Sequence, residues 1–316
     1  MTAQATAPLK PAPARPGRLA PLRRLADHPG LLRRLCLATL VGNAVIVLTG
    51  VAVRLTGSGL GCPTWPKCTD DSYVNTPEFG IHGYIEFGNR TLTGVLSAVI
   101  GATILVTLLR TRRRRSMMLL AGAQFLGVLA QAVIGGITVL TGLNPWTVSA
   151  HFLVSMGLIY AAYALWQRSG EGDGPRRYLV PMPLVWLARA LATATAAVLV
   201  VGTIVTGSGP HSGDKAAART GLDPETVSQV HADVVFLLLG LTIAAVLALR
   251  AAGAPAAVTR AAMVLLVVEL AQGLIGFVQY FTHLPVLLVA LHVLGACAVW
   301  IAALGVLFGV RTRDAR

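Results

Sequence analysis

The sequence predicts an all-α polytopic membrane protein with eight transmembrane helices, arranged as two pseudo-symmetric four-helix bundles. Of its 316 residues, 55% are hydrophobic and only 12% are charged. Apolar runs long enough to cross a hydrocarbon core of about 30 Å as a helix recur along the chain. They lie at 36–53, 85–109, 117–140, 147–166, 190–206, 228–249, 261–281 and 287–309. Helices satisfy their own backbone hydrogen bonds in lipid, as few other structures do.

An internal repeat divides the predicted helices into two sets of four. The segment QAVIGGITVLTGLNPWTVSAH at 131–151 matches QGLIGFVQYFTHLPVLLVALH at 272–292. Each copy reads as the end of one helix, a short turn and the start of the next, with a Gln near its beginning and a His at its end. Thr-Gly-Ser-Gly at 56–59 recurs at 206–209, which pairs the first helix with the fifth. Because each half has an even number of helices, a pseudo-twofold axis along the membrane normal is expected.

The repeat and the composition together divide the chain into five predicted segments. These are a basic, disordered cytoplasmic tail at 1–35, an N-terminal half at 36–166, a cytoplasmic linker at 167–189, a C-terminal half at 190–309 and a cytoplasmic tail at 310–316. The first apolar run has a partner in the repeat. It is therefore interpreted as a transmembrane helix rather than as a cleaved signal peptide.

The net charge of +13 is distributed unevenly between the predicted loops. Lys and Arg concentrate in the tails, at 110–115 and in the linker, while the outer loops hold few. This asymmetry follows the positive-inside rule and predicts that both termini are cytoplasmic, in a multi-pass protein of the plasma membrane. The run RTRRRR at 110–115 is accordingly an anchor of the topology, and no nucleic-acid partner is expected.

Two of the four cysteines, Cys62 and Cys68, lie together in the first outer loop within GCPTWPKC. The outer face of the membrane is oxidising, which favours a disulfide between them. A metal site is the alternative, although no nearby His completes a zinc ligand set. Cys36 and Cys297 fall in apolar helices and are interpreted as packing residues.

Three histidines lie one to two turns inside the outer ends of predicted helices: His151, His231 and His292. His231 and His292 share a half and a depth. Two neutral imidazoles that face each other across a bundle can bind a haem iron from both sides. Separate histidines that bond neighbouring helices or water are the alternative. The recurrence of His151 at the repeat-equivalent position favours haem.

The first half departs from this pattern at Asn89, which stands where the repeat would place a His. Because Asn is a poor haem ligand, His151 would hold an iron from one side, or the second ligand would come from elsewhere, for example His82. An incomplete ligand set fits an exchangeable substrate, and a complete pair fits a resident electron carrier. Glu86, about one turn before Asn89, is a candidate general base. A solvated carboxylate, or one paired with Arg90 or His82, is the alternative.

A second carboxylate, Glu269, lies inside the seventh predicted helix, shortly before Gln272. Carboxylates within a membrane are functional candidates by default. A protonated Glu that is hydrogen-bonded to a neighbouring helix is equally compatible with the sequence.

The motifs TGSGLGCPTWPKC, EFGNR and QAVIGGITVLTGLNPWTVSAH, with VTGSGPHSGD and QGLIG…ALH in the second half, together resemble the heme A synthase family. The resemblance covers nearly all of 36–309 and is to the actinobacterial-like type, in which Asn replaces one His of the first half. It implies an enzyme that oxidises the C8 methyl of heme O to the formyl of heme A, by successive hydroxylation with oxygen from water. The product serves aa3-type cytochrome oxidases.

The resemblance also implies roles for individual residues. His231 and His292 would be the axial ligands of a resident heme b, and Glu86 the catalytic residue. His151 would bind the iron of the substrate haem, in a site shared with Asn89 and Arg90, and Cys62 and Cys68 would form a disulfide. Many members of the family have a second Cys pair in the outer loop of the C-terminal half, where this chain has PHSGD.

Partners expected from the resemblance are heme O, heme O synthase, cytochrome oxidase assembly factors and membrane lipid, with homo-oligomers an open alternative. Two other functions compete with the enzyme. One is a bis-His membrane cytochrome that only relays electrons, which the incomplete ligand set of the first half disfavours. The other is a haem carrier or assembly factor without chemistry, which Glu86 beside the open position disfavours.

Overall fold

The computed structural model describes residues 20–28 and 30–314. The described helices are α1 (Ala20–Ala26), α2 (Leu31–Leu55), α3 (Gly80–Leu109), α4 (Arg115–Leu140), α5 (Pro145–Ser169), α6 (Met182–Ser208), α7 (Pro224–Ala251), α8 (Ala256–Phe281) and α9 (Val286–Gly309). A 3₁₀ turn at Pro77–Phe79 precedes α3. Two short strands, β1 (Arg176–Tyr178) and β2 (Arg311–Arg313), pair antiparallel.

The predicted all-α polytopic fold is confirmed, because α2 to α9 are each long and apolar enough to cross a membrane. The end of the molecule that carries the Cys62–Cys68 loop is called the outer end below, and the end that carries β1 and β2 the inner end. The predicted helix boundaries are too short, most clearly for α2, which begins at Leu31, and α6, which begins at Met182. Hydropathy marks only the apolar core of a helix, whereas turns with Arg side chains continue the helix beyond it.

Two of the predicted segments differ from the structure. Most of the tail predicted to be disordered, 1–19, lies outside the described residues, as do 315–316. Where the tail is described, Ala20–Ala26 is helical, and Asp27 receives hydrogen bonds from the backbone and hydroxyl of Thr111. The predicted linker 167–189 contains β1 and the first turns of α6. Composition missed these elements because they are stabilised by contacts with distant parts of the chain.

Local sequence signals explain where the helices that carry histidines begin. In α5, Asn144 caps the helix by accepting a hydrogen bond from the backbone N–H of Trp146 at 3.0 Å, and Pro145 occupies the first turn. In α7, Asp223 accepts from the N–H of Thr226 at 2.8 Å, and Pro224 follows it. A side-chain acceptor followed by Pro is a preferred helix start, and it fixes the depth of the histidine in the second turn.

The transmembrane helices pack as two rings of four. In the N-terminal half, α2 and α4 each pack on α3 and α5, and in the C-terminal half, α6 and α8 each pack on α7 and α9. The halves meet through α2, α5, α6 and α9. Their shared core contains Leu40, Met156, Ile159, Leu199, Trp300 and Leu304, and the indole Nε1 of Trp300 donates to the carbonyl of Met156 at 2.9 Å. Interdigitation of this kind stabilises helices within lipid.

The repeated hairpins end in the same kind of turn. Gly142 and Leu143 between α4 and α5 have φ of 62° and 60°, and His283 and Leu284 between α8 and α9 have φ of 62° and 59°. Leu143 is buried, and it packs against Gly59 of the first outer loop and Gly213 of the third. This turn therefore joins the outer loops of both halves.

Candidate functional site

The C-terminal half contains the predicted pair of histidines, His231 on α7 and His292 on α9. Both helices pack on α6 and α8, so the two histidines belong to one bundle. Each ring packs on a glycine of a neighbouring helix. A Cβ at Gly202 would lie 3.2 Å from Cε1 of His231, and a Cβ at Gly276 would lie 3.2 Å from Cε1 of His292. Any larger residue would displace the ring, so these glycines define where each imidazole lies.

The N-terminal half holds His151 of α5 in the same way. A Cβ at Gly135 of α4 would lie 3.2 Å from Cε1 of His151. Gln131 donates through Nε2 to the backbone carbonyl of His151 at 2.9 Å and also to the hydroxyl of Ser155. In the C-terminal half, Gln272 donates to the carbonyl of His292 at 2.7 Å. The repeated Gln therefore fixes the backbone of the helix that carries the His.

All three histidines share an unsatisfied atom. The Nδ1 atoms of His151, His231 and His292 are buried without a hydrogen-bond partner, and in the described chain no hydrogen bond engages their Nε2 atoms. Buried polar atoms nearly always find a partner, so a histidine that only joined helices would be expected to have one. A histidine that binds haem iron uses the lone pair of a ring nitrogen, which must be left free. The three side chains therefore fit haem ligands.

A site for a bare metal ion has less support. Among the residues described, no group of three or more His, Cys, Asp or Glu side chains converges to hold one. A porphyrin supplies four nitrogen ligands of its own, so one or two histidines complete the coordination of its iron. The arrangement of single and paired histidines therefore fits haem and does not fit a zinc-type centre.

Asn89 of α3, where the repeat would place a His, is fixed by a neighbour. Its Oδ1 accepts a hydrogen bond from the hydroxyl of Thr49 on α2 at 2.7 Å. The Asn89 side chain is half-buried, and it is an amide where the repeat would place an imidazole. The N-terminal half thus contains one histidine of the predicted type at this depth, and the C-terminal half contains two.

Glu86 is almost fully buried, with 5% of its surface exposed. Its Oε1 lies 2.5 Å from Nη2 of Arg90, and its Oε2 accepts from the backbone N–H of Cys62 at 2.6 Å. Of the alternatives left open by the sequence, the pair with Arg90 is the one present. His82 is not the partner, because its Nδ1 lies 2.9 Å from the hydroxyl of Ser58.

Arg90 connects this carboxylate to the first outer loop. Its guanidinium donates to the carbonyls of Cys62, Thr64 and Lys67 at 3.0 to 3.3 Å. The loop is closed by the predicted disulfide between Cys62 and Cys68, which is present. Because one planar guanidinium binds the carboxylate and three carbonyls, Arg90 fixes the loop over the N-terminal half.

Trp65, at the tip of this loop, reaches α4 beside the histidine site. A Cβ at Gly136 would lie 2.5 Å from Cδ2 of Trp65, so the indole rests directly on the backbone next to Gly135. Sequence analysis missed Trp65, Thr49 and the supporting glycines. The Ile-Gly shared by both repeated segments was a signal for Gly135 and Gly276, but nothing in the sequence showed which ring they contact.

Cations at the outer end mainly bind backbone carbonyls. Arg54, at the end of α2, donates to the carbonyl of His211 at 2.5 Å and to that of Thr206 at 2.8 Å, both in the C-terminal half. Arg219 donates to the carbonyl of Pro210 at 2.5 Å. Burial lowers the pKa of His211, and the charges of Arg54 and Arg219 lower it further. Arg54 therefore joins the two halves at their outer ends.

A cavity of about 320 Å³ opens at the outer end of the C-terminal half. Its lining includes Ser208, Arg219, Ser228 and Tyr280. Ser228 lies one turn before His231 on α7, so the cavity lies above the paired histidines. It offers hydroxyl groups, the cation of Arg219 and the carboxylate of Glu225 to a polar part of a bound molecule.

The chain matches the model of the COX15-CtaA family, described as cytochrome oxidase assembly protein, over residues 33–304.

It is also similar to proteins named heme A synthase from three bacteria. The relative from Lysinibacillus sphaericus is 34% identical over 142 residues, which cover 44% of this chain and 45% of the relative. That from Exiguobacterium sibiricum is 29% identical over 166 residues, 51% of this chain and 54% of the relative. That from Listeria welshimeri is 30% identical over 128 residues, 40% of this chain and 41% of the relative. The chain thus spans about half the length of the curated relatives it matches.

Proposed function

The chain belongs to the COX15-CtaA family of cytochrome oxidase assembly proteins, and from this premise we propose that it is a heme A synthase. It would oxidise the C8 methyl of heme O to a formyl group by successive hydroxylation with oxygen from water. The proposal rests on a difference between the two halves, which share one kind of histidine pocket but contain different numbers of such histidines. The same Gln–Gly–His arrangement occurs in both halves, but only the C-terminal half has a second histidine that packs on a glycine of a neighbouring helix.

In the C-terminal half, His231 and His292 are the proposed axial ligands of a resident heme b. This group supplies one-electron redox chemistry when bound. Gly202 and Gly276 set the positions of the two imidazoles, and Gln272 fixes the backbone of His292. The cavity lined by Ser208, Arg219 and Ser228 fits the polar edge of such a group.

In the N-terminal half, His151 is the proposed ligand of the substrate iron, and Asn89 and Arg90 complete the site. Thr49 holds the amide of Asn89, so the side of the site opposite His151 carries a neutral polar group instead of an imidazole. A site with one strong ligand retains its occupant less firmly than a site with two. This suits a haem that must enter, react and leave.

Glu86 is the proposed catalytic residue. A carboxylate binds a proton at either oxygen, and each oxygen of Glu86 keeps a lone pair beyond its bond to Arg90 or Cys62. It can orient a water molecule and accept a proton from it. The bonds from Arg90 and Cys62 hold the carboxylate in place, and the disulfide loop with Trp65 covers the site from the outer end.

The proposed topology places both termini in the cytoplasm of a plasma-membrane protein. In support, the inner end is rich in arginine, including the arginines of the paired strands β1 and β2. The proposed division follows the sequence prediction, with the substrate site in the half at 36–166 and heme b in the half at 190–309, joined by 167–189. Proposed partners are heme O, heme O synthase, oxidase assembly factors and lipid, and self-association is compatible with the exposed apolar helices.

The test is to express the full chain in a host that lacks heme A synthase and makes heme O. Extracted haems are then analysed by mass spectrometry. We expect heme A and its hydroxylated precursor, and a Glu86→Gln variant of equal haem content as matched control should yield neither above trace. A folded, haem-loaded protein that produces no oxidised haem would overturn the proposal in favour of an electron relay.

A further inference from the structure

The carboxyl group of Glu269 lies in the middle of α8 and has no role in the chemistry proposed above. It is 7% exposed. Its Oε1 lies 2.9 Å from the hydroxyl of Thr242 on α7, and its Oε2 is buried without a partner. Burying an ionised carboxylate at this depth costs free energy. Carboxyl groups at such positions are therefore either protonated or have a function.

A protonated Glu269 is compatible with its contact to Thr242. The Thr242 hydroxyl has one hydrogen but two oxygens within reach, the carbonyl of Leu238 at 3.0 Å and Oε1 of Glu269 at 2.9 Å. If the hydroxyl donates to Leu238, as threonines in helices commonly do, the proton in the second contact must come from Glu269. A protonated carboxyl group also avoids a charge inside the bilayer.

No charged side chain compensates Glu269 in the part of the chain that the structure describes. The helices packed against α8 are α7 and α9. Their titratable or charged groups are Glu225, His231, Asp233, Arg250, His292 and Cys297. None of these groups makes a hydrogen bond or salt bridge with Glu269 among the described residues. The protonation of the Glu269 carboxyl group therefore depends on the charge of any group that is bound within the bundle.

A line of polar side chains runs from Glu269 to the outer end along one face of α8. Gln272 and Gln279 follow it at helical spacing, with Gly276 between them. The Oε1 atoms of both glutamines are buried and lack a partner, as is Oε2 of Glu269. Unsatisfied acceptors on one face are positions that water can bridge. The line ends beside Tyr280 and Leu284, at the cavity above the paired histidines.

The N-terminal half lacks this line. At the equivalent positions, 141 residues earlier, Val128 replaces Glu269 and Thr138 replaces Gln279. Thr138 satisfies itself by donating to the carbonyl of Ile134 at 2.9 Å. Only Gln131, which fixes His151, is shared. The polar line therefore belongs to the half that holds two histidines.

We infer that Glu269 is a proton-exchanging site linked to the redox state of the haem between His231 and His292. The inference rests on the proposed function. On one-electron reduction of a haem held there, Glu269 would take up one proton from the outer side, carried by water bound along Gln272 and Gln279. When the electron leaves, the proton leaves with it. Neutralising each added electron lowers the cost of reduction in a low-dielectric bundle.

Redox-difference infrared spectroscopy of the haem-loaded protein tests the inference. We expect a carbonyl-stretch signal of a protonated carboxylic acid in the reduced-minus-oxidised spectrum, lost in Glu269→Gln. In Thr242→Val the signal should remain but shift in frequency, because its hydrogen bond is removed. Glu78→Gln, which changes an exposed carboxylate in the 3₁₀ turn before α3, is the matched control and should leave the signal unchanged.

Potentiometry supplies a second measurement. The midpoint potential of the bis-histidine haem should fall with rising pH in the wild type, at most by about 59 mV for each tenfold change in proton concentration. The slope should flatten in Glu269→Gln. A signal that persists in Glu269→Gln, or identical slopes in both proteins, would overturn the inference alone. A protein that binds no bis-histidine haem would overturn the proposed function and the inference with it.

Discussion

The two halves of the molecule place the same histidine in the same pocket and then surround it differently. His151 and His292 each pack on a glycine of the preceding helix, and each has its backbone carbonyl bound by a glutamine. The C-terminal half adds His231 on α7, however, whereas the N-terminal half has Asn89 held by Thr49. The comparison teaches that one repeated scaffold can hold the same histidine among different neighbouring groups in its two halves.

Buried polar groups show a second difference between the halves. In the N-terminal half, Asn43 donates to Gln124 at 3.0 Å, and Gln124 donates to the carbonyl of Leu158 at 2.8 Å, so this network is satisfied. In the C-terminal half, Glu269 keeps an oxygen without a partner. A satisfied network specifies packing, while an unsatisfied carboxyl group is available for proton exchange.

The strongest test of the comparison removes the ligand from each half in turn. We expect His292→Ala to lose the low-spin spectrum of a bis-histidine haem and nearly all heme A production. His151→Ala should keep that spectrum and lose production. Spectra and extracted haems of the purified proteins measure both effects. Equal loss of the bis-histidine spectrum in the two variants would contradict the assignment of different haems to the two halves.

The next test concerns Glu86, the proposed catalytic carboxylate of the N-terminal half. Glu86→Gln keeps an acceptor for the N–H of Cys62 but removes the charge that pairs with Arg90. We expect heme A production to fall about 100-fold, the size of a lost general base, with folding retained. Initial rates of haem oxidation measure the effect. A rate within a few-fold of the wild type would exclude Glu86 as the base.

Asn89→His would make the two halves alike. A histidine at this position should complete the coordination of the substrate haem, add a second low-spin signal and slow turnover about 10-fold. Optical and electron paramagnetic resonance spectra at equal haem content provide the measurement. Asn89→Gln, which preserves the amide, is the control. Unchanged spectrum and activity in the histidine variant would show that Asn89 does not face the iron.

The glycine pockets allow a smaller and more local perturbation. In Gly276→Ala the new Cβ would lie 3.2 Å from Cε1 of His292, so the ring must shift by a few tenths of an ångström. We expect several-fold weaker retention of haem in the C-terminal half, measured by transfer to an external haem acceptor. Gly273→Ala, on the same helix with nothing near its Cβ position, should match the wild type. Equal weakening by both would refute the role of the pocket.

The smallest expected effect lies where the outer loops of the two halves meet. Burial, with Arg54 and Arg219, holds the pKa of His211 below its ordinary value of 6.5. The unfolded chain therefore binds the proton more readily, so stability should decline as pH falls below about 6.5. Thermal unfolding in detergent between pH 7.5 and 5 measures the slope. His211→Asn should show a shallower decline, and a parallel decline would rule out His211 as its source.

The sequence by itself determined the membrane class, the number of crossing helices and the repeat, and it predicted the residue types of the candidate site. The length of an apolar run is a local property, so hydropathy revealed the crossing helices. The recurrence of His151 and His292 at matching positions revealed the repeat. The sequence also identified Glu86 and the Cys62–Cys68 pair, because their motifs are contiguous. It placed helix ends poorly and missed the described helix at Ala20–Ala26, since contacts with Thr111 hold that segment.

Only the tertiary structure decided which partner each polar group takes. Glu86 had open alternatives in Arg90, His82 and water, and the fold selected Arg90 and Cys62 by bringing the outer loop onto α3. The glycines beneath the histidines, the hydrogen bond from Thr49 to Asn89 and the hydrogen bond between Thr242 and Glu269 all join different helices. Such pairs depend on the rotation and depth at which helices pack, which residue spacing within one helix does not encode.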